Sequence, residues 1–278
     1  MRRLHIGFFR PVVAFGLVVS LAGSLARADD APDAKLQQLV AGPQRAPEAK
    51  ARDQFRHPYE LLHFFGLAED QTVVEIWPGG TGFWTEILAP YLHDKGMYYA
   101  AVSEGTSDEA RKGNTTFAAK LAAHPEIYGK VIVTTFAGDR HEIAPAGSAD
   151  LIVTFRNLHN WMADHDAEAA FRAFYTALKP GGILGIEDHR GLATAPQDPE
   201  AKSGYVRQDY AIALVEAAGF KFLGSSEVNA NPRDTKDYPA GVWALPPTYR
   251  LGDVDRAKYQ AIGESDRFVL KFVKLKSD

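Results

Sequence analysis

Two short polar runs concentrate the side chains able to do chemistry: Arg156-Asn157-Leu158-His159-Asn160-Trp161 and Glu187-Asp188-His189-Arg190. Arg156 can pair with a carboxylate through its planar fork of donors. Asn157 can hydrogen-bond the amino-acid portion of a ligand, or an acceptor. His159 is of the side-chain type that switches charge most readily near neutral pH, and it can take a proton from a hydroxyl or an amine. Asp188 and His189 can act together as an oriented base, which makes His159 the first candidate for proton removal and His189 the second. His159, Asp188 and His189 are also of the types that bind divalent ions. No short ligand spacing such as H-x-x-x-H accompanies them, so the reading is a base and no metal. The blander reading pairs Arg156 with Glu75 or Asp188 for structure and leaves His159 as a loop cap.

Each run follows an apolar segment that reads as a strand. Thr72–Trp77, Met97–Val102, Val131–Phe136, Asp150–Phe155 and Ile183–Glu187 are apolar or β-branched and alternate with helical stretches. The helices are predicted over 58–65, 83–91, 110–123, 166–178 and 207–218, with Phe220–Ser226 and Arg267–Lys274 as two closing strands. This alternation implies an α/β fold: a Rossmann-like, mostly parallel sheet with helices on both faces. Ligands of such sheets bind at the carboxyl ends of the strands, where both polar runs lie. Long insertions at 189–203 and 228–265 are candidate lids or plain surface excursions. Tyr205 can cover the pocket, although packing suits it better.

The strand at 72–77 leads into Pro78-Gly79-Gly80-Thr81-Gly82 and then a helix. Glycines here permit a sharp turn and close approach of a ligand to the backbone, with free amides at the helix start. A dinucleotide site expects G-x-G-x-x-G, and Gly80-Thr81-Gly82-Phe83-Trp84-Thr85 fits only in part. Glu104, after the second strand, can bind ribose hydroxyls, which suits NAD and S-adenosylmethionine alike. Glu75 lies inside the first strand, where a buried carboxylate requires a partner.

The run Val74-Glu75-Ile76-Trp77-Pro78-Gly79-Gly80-Thr81-Gly82 resembles the first motif of class I S-adenosylmethionine-dependent methyltransferases. Leu178-Lys179-Pro180-Gly181-Gly182 resembles the turn before that family's fifth strand, and Asp150-Leu151-Ile152-Val153 its fourth-strand motif. The resemblance spans about 52–274 and is similar, more narrowly, to a group of exported predicted methyltransferases. It implies a seven-stranded sheet with an antiparallel last strand, and S-adenosylmethionine as cofactor. Glu75, Gly79, Gly80, Gly82, Glu104, Asp139, Arg156 and Asn157 would contact that cofactor, Asp139 at the adenine. Trp77 stands where the family usually has glycine. The activity implied is methyl transfer to a small molecule. The alternatives are a repurposed domain binding another small ligand and a nicotinamide-dependent oxidoreductase.

The N-terminus carries Arg2, Arg3 and Arg10, an uncharged apolar run at 12–22, and Ala26-Arg27-Ala28 before two aspartates. This reads as a cleavable signal peptide over 1–28, implying a periplasmic or secreted protein, with an uncleaved anchor as the alternative. A loose arm with some helix is expected over 29–51 and one methyltransferase-like domain over 52–278. Without the four leader arginines the formal net charge of −4 becomes −8, which argues against nucleic acid as a partner. No stable membrane span is expected after leader cleavage. Cysteine is absent, which excludes disulfides and thiolate chemistry.

Overall fold

The computed structural model describes residues 32–137 and 141–276. The leader expected over 1–28 and Asp139, expected at the adenine, lie outside the described residues. In chain order the elements are α1 (Ala34–Ala41), α2 (Pro47–Lys50), α3 (Asp53–Arg56), α4 (Pro58–Phe65), β1 (Thr72–Ile76), α5 (Thr85–Leu92), β2 (Met97–Val102), α6 (Asp108–Ala123), α7 (Pro125–Tyr128), β3 (Ile132–Thr135) and β4 (Ala149–Phe155). There follow α8 (Leu158–Ala163), α9 (Ala167–Ala177), β5 (Leu178–His189), α10 (Gln208–Ala217), β6 (Phe220–Ser226), α11 (Arg256–Ile262) and β7 (Arg267–Lys274).

The seven strands form one sheet in the order β3-β2-β1-β4-β5-β7-β6. The strands β1 to β5 are parallel, and β7 runs antiparallel between β5 and β6. The strand order reverses between β1 and β4, which opens a crevice at their carboxyl ends. Alternating side chains supply two cores. On one face Val74, Ile76, Ile152 and Leu184 pack against Phe171 and Phe174 of α9. On the other, Val73, Leu151 and Val153 pack against Leu61, Phe65, Ile87 and Leu88 of α4 and α5. Both faces are therefore covered, as near-continuous apolar strands require.

Three expectations are corrected. Ordered structure begins well before Arg52. Asp33 caps α1 by accepting from the Leu36 N–H at 2.9 Å, Leu36 is buried, and Arg45 pairs with Asp53 at 2.6 Å. The stretch read as a loose arm is thus held by side chains distributed across the next fifty residues. The Lys179–Gly182 turn is absorbed into β5, because Leu178 still pairs with Ala149 across an irregularity in the ladder. The segment after β4, for which the blander alternative has His159 capping a loop, begins the helix α8.

The insertion after β6 folds over the carboxyl ends of the strands. Its Tyr238, Val242, Leu245 and Tyr259 form a small core with Tyr205. Tyr205 is a packing residue here: its hydroxyl donates to Asp234 at 2.9 Å. No described helix is long and apolar enough to cross a membrane.

Candidate active site

The first turn of α8 places His159 over the end of β5. Asp188 caps this helix from the neighbouring strand, accepting the His159 backbone N–H at 2.9 Å. A carboxylate at a helix start meets free amides, which stabilises it there. The same carboxylate accepts from the His159 ring at Nδ1, 2.9 Å, and from the His189 backbone N–H at 2.7 Å. Asp188 is fully buried. An acceptor-only carboxylate fixes the proton of His159 on Nδ1 and leaves Nε2 as the basic nitrogen.

His189 lies beside it, the two ring centroids 5.2 Å apart, and its Nδ1 meets Ser265 Oγ at 2.5 Å. Burial, reinforced by the neighbouring His159 and Arg156, lowers the His189 pKa well below its ordinary value, so this ring is neutral. His159, Asp188 and His189 offer ligand atoms within 4.8 Å of one another, a spacing that can hold a metal ion. The hydrogen bonds favour proton transfer instead. Both oxygens of Asp188 already accept N–H groups, and an ion would displace them.

His159 and His189 line a cavity of about 220 Å³ with Arg156, Asn160, Glu264, Ser265 and, from the insertion, Val242, Trp243 and Pro246–Thr248. The insertion is therefore the roof of the site. Arg156 adopts φ +62°, a left-handed conformation disfavoured for a bulky side chain, immediately after β4.

A second hollow, of about 310 Å³, lies at the glycine turn. Its lining includes Trp77, Gly79, Gly80, Ser103, Glu109, Gly113, Asn114 and Asn157. Gly79 has φ +70° and open space where a side chain would stand. A Cβ on Gly80 would lie 3.2 Å from the Gly113 Cα and carbonyl oxygen, so the turn and α6 approach backbone to backbone. Asn157 donates to the Ile76 carbonyl at 2.9 Å, tying the end of β1 to α8. Trp77 forms one wall at φ +51°, its indole N–H donating to the Phe136 carbonyl at 2.8 Å. It packs edge-on against Trp161.

Gly79, Gly80 and Asn157 are thus brought together as the sequence implied. Four other candidates stand elsewhere. Glu75 is buried beneath the turn, accepting from Thr85 Oγ1 at 3.0 Å and from the Tyr98 hydroxyl. It braces β1, β2 and the start of α5 rather than lining the hollow. Gly82, at φ +58°, is wedged between Phe117 and Thr85. Glu104 is exposed, and Ser103 and Glu109 line the hollow on that side. Arg156 faces the histidine cavity and not the glycine-turn hollow.

Residues 79–186 match the family model described as a methyltransferase domain. This segment, less than half of the chain, is similar to a methyltransferase domain. The matched segment runs from the glycine turn into β5; it contains Gly79, Gly80, Asn157 and His159 and ends before Asp188 and His189. Among solved structures, the domain's fold is similar to an S-adenosylmethionine-dependent methyltransferase from Aquifex aeolicus, with a TM-score of 0.54 at 16% identity. That likeness covers 87% of this chain and 97% of the other. The [4+2]-cyclase SpnF gives a TM-score of 0.56 at 16% identity, covering 87% and 92%. Phosphoethanolamine N-methyltransferase 2 from Haemonchus contortus, solved with S-adenosyl-L-methionine, gives 0.51 at 15%, covering 87% of this chain and 56% of that one. No curated protein sequence matches the chain.

Proposed function

We propose that the chain methylates a small-molecule acceptor seated in the His159 cavity, with S-adenosylmethionine held at the glycine turn. The observation that carries this reading is the buried Asp188–His159 pair facing a cavity beside the methyltransferase turn. The residues fit the cofactor: Gly79 is open, Gly80 leaves only backbone at the turn, and Asn157 closes the hollow toward β4. When bound, the cofactor supplies an activated methyl group. His159 Nε2 removes the proton from the acceptor hydroxyl or amine. Asp188 holds the resulting imidazolium and keeps its ring oriented. His189, neutral and tied to Ser265, adds no competing charge. The roof of Val242, Trp243, Pro246 and Pro247 limits water.

Trp77 favours a second reading. An indole stands where the family's glycine would be, on the wall of the cofactor hollow. A domain repurposed for another ligand, without methyl transfer, is the form that reading takes; the cyclase on the same fold illustrates that fold alone does not fix the reaction. The leader-like N-terminus supports action outside the cytoplasm. Calorimetry of the full chain with S-adenosylmethionine, S-adenosylhomocysteine and NAD separates the readings. Binding of the first two alone is expected, and binding of none sinks the methyl-transfer proposal.

A further inference from the structure

Behind the histidine cavity sits a cluster of guanidiniums that its acids do not balance. Arg52, Arg56, Arg156 and Arg267 share two carboxylates, Glu187 and Glu264. Glu264 is taken by three of them: Arg52 Nε at 2.6 Å, Arg267 Nη1 at 3.0 Å and Arg56 Nε at 3.4 Å. Glu187 is taken by Arg267 Nε at 3.2 Å and by Asn229 Nδ2 at 2.7 Å. Nothing remains for Arg156. Its guanidinium makes no hydrogen bond among the described residues, and its Nε is enclosed without a partner. A buried charge left this way is costly unless something else completes it. The backbone at Arg156 is strained as well. Two costs at one residue that faces a cavity suggest a function rather than a structural role.

We propose that the acceptor is a small carboxylate, and that Arg156 binds its carboxylate group in the cavity shared with His159. This rests on the methyl-transfer reading for the word acceptor, but the anion site stands on its own geometry. The guanidinium offers a planar fork suited to a carboxylate. The excess of positive charge suits an anion. Trp243, Pro246 and Pro247 give the same cavity a flat apolar wall, and Arg250 stacks on Trp243 at 4.3 Å and fixes its ring. A volume of about 220 Å³ is below the roughly 300 Å³ at which drug-sized sites begin, so the acceptor is small. The cofactor's own carboxylate is the less suitable partner, because the two hollows share no lining residue and Arg156 belongs to the other one.

Sodium benzoate, benzamide and inorganic phosphate serve as probes of the full chain by thermal unfolding and calorimetry, with S-adenosylhomocysteine titrated separately. Benzoate is expected to bind and raise the unfolding midpoint, and its neutral isostere benzamide is not. Arg156→Met is expected to raise the midpoint without ligand, since it removes an unpartnered charge, and to weaken benzoate roughly thirtyfold or more. Its S-adenosylhomocysteine affinity stays within about twofold of the native chain, because the cofactor is bound elsewhere. Should Arg156→Met fail to fold, Arg156→Lys, which keeps the charge but loses the fork, is expected to weaken benzoate by about tenfold. The proposal is overturned by no benzoate binding at millimolar concentration, by equal binding of benzamide, by tighter binding of phosphate, by unchanged benzoate affinity in the variant, or by loss of S-adenosylhomocysteine in it. Benzoate binding to a chain that ignores S-adenosylhomocysteine would remove methyl transfer and leave the anion site in place.

Discussion

A single carboxylate does three jobs at the centre of the site. Asp188 caps α8, orients the His159 ring and anchors the backbone of His189. Asn at this position keeps the shape but turns one oxygen into a donor facing N–H groups. Asp188→Asn is therefore expected to lower turnover by about 10²-fold or more while leaving S-adenosylhomocysteine affinity within about twofold. The ¹⁵N shifts of the His159 ring give an independent check. The native chain should show the proton on Nδ1, and a native ring protonated on Nε2 would remove His159 as the base. His159→Ala should match the turnover loss without the change in helix capping, so it is expected to cost less stability than Asp188→Asn.

At the scale of elements, the close approach of the glycine turn to α6 is what shapes the hollow proposed for the cofactor. Gly80→Val would drive a branched side chain into the Gly113 backbone, 3.2 Å from the first added carbon. Backbone on both sides cannot yield as a flexible side chain would, so α6 must shift. S-adenosylhomocysteine affinity is expected to fall at least roughly tenfold, measured by calorimetry; an unchanged affinity would show that the cofactor does not use this hollow. The strands around it were readable because β-branched and apolar runs announce a buried parallel sheet, and the polar residues lining the two hollows because they follow such strands. The misses share a cause. The helix α8 has only six residues, and its cap comes from Asp188 on another strand. The helices α1–α3 are fixed by Arg45 reaching Asp53 and Glu86, and by Arg45 and Arg56 lying against Phe83. Glu264 finds Arg52 and Arg56 only once β7 is in the sheet. None of these contacts leaves a periodic mark in the sequence. Lys179–Gly182 failed in the opposite direction: its local turn chemistry is real, but the pairing of β4 with β5 continues through it.

For the molecule as a whole, two buried glutamates set opposite pH limits on stability. Burial pushes Glu75 from 4.5 up to about 7, against the smaller effect of the Tyr98 and Thr85 hydrogen bonds. The fold thus keeps a proton on Glu75 that the unfolded chain has already lost. Its stabilising effect is complete below about pH 4.5 and is lost as pH rises through about 7. Burial would raise Glu264 too, but Arg267, Arg56 and Arg52 outweigh it and hold this group at about 2. Its contribution is complete above about pH 4.5 and is lost as pH falls through about 2. Each limb is on the order of 3 kcal/mol. Taken by themselves the two glutamates favour mildly acidic solution, where both contributions are present; the buried neutral His189 opposes them, its contribution being lost as pH falls below 6.5. Glu75→Gln is expected to be more stable than the native chain at pH 8 and to flatten the decline between pH 4.5 and 7. Glu264→Gln is expected to lose about 3–5 kcal/mol at pH 5, because three arginines lose their shared carboxylate, and to flatten the acid limb. Urea unfolding across pH on the three chains measures both effects. If Glu75→Gln destabilises equally at pH 5 and pH 8, the carboxyl is ionised throughout, and the proton does not belong to the folded state.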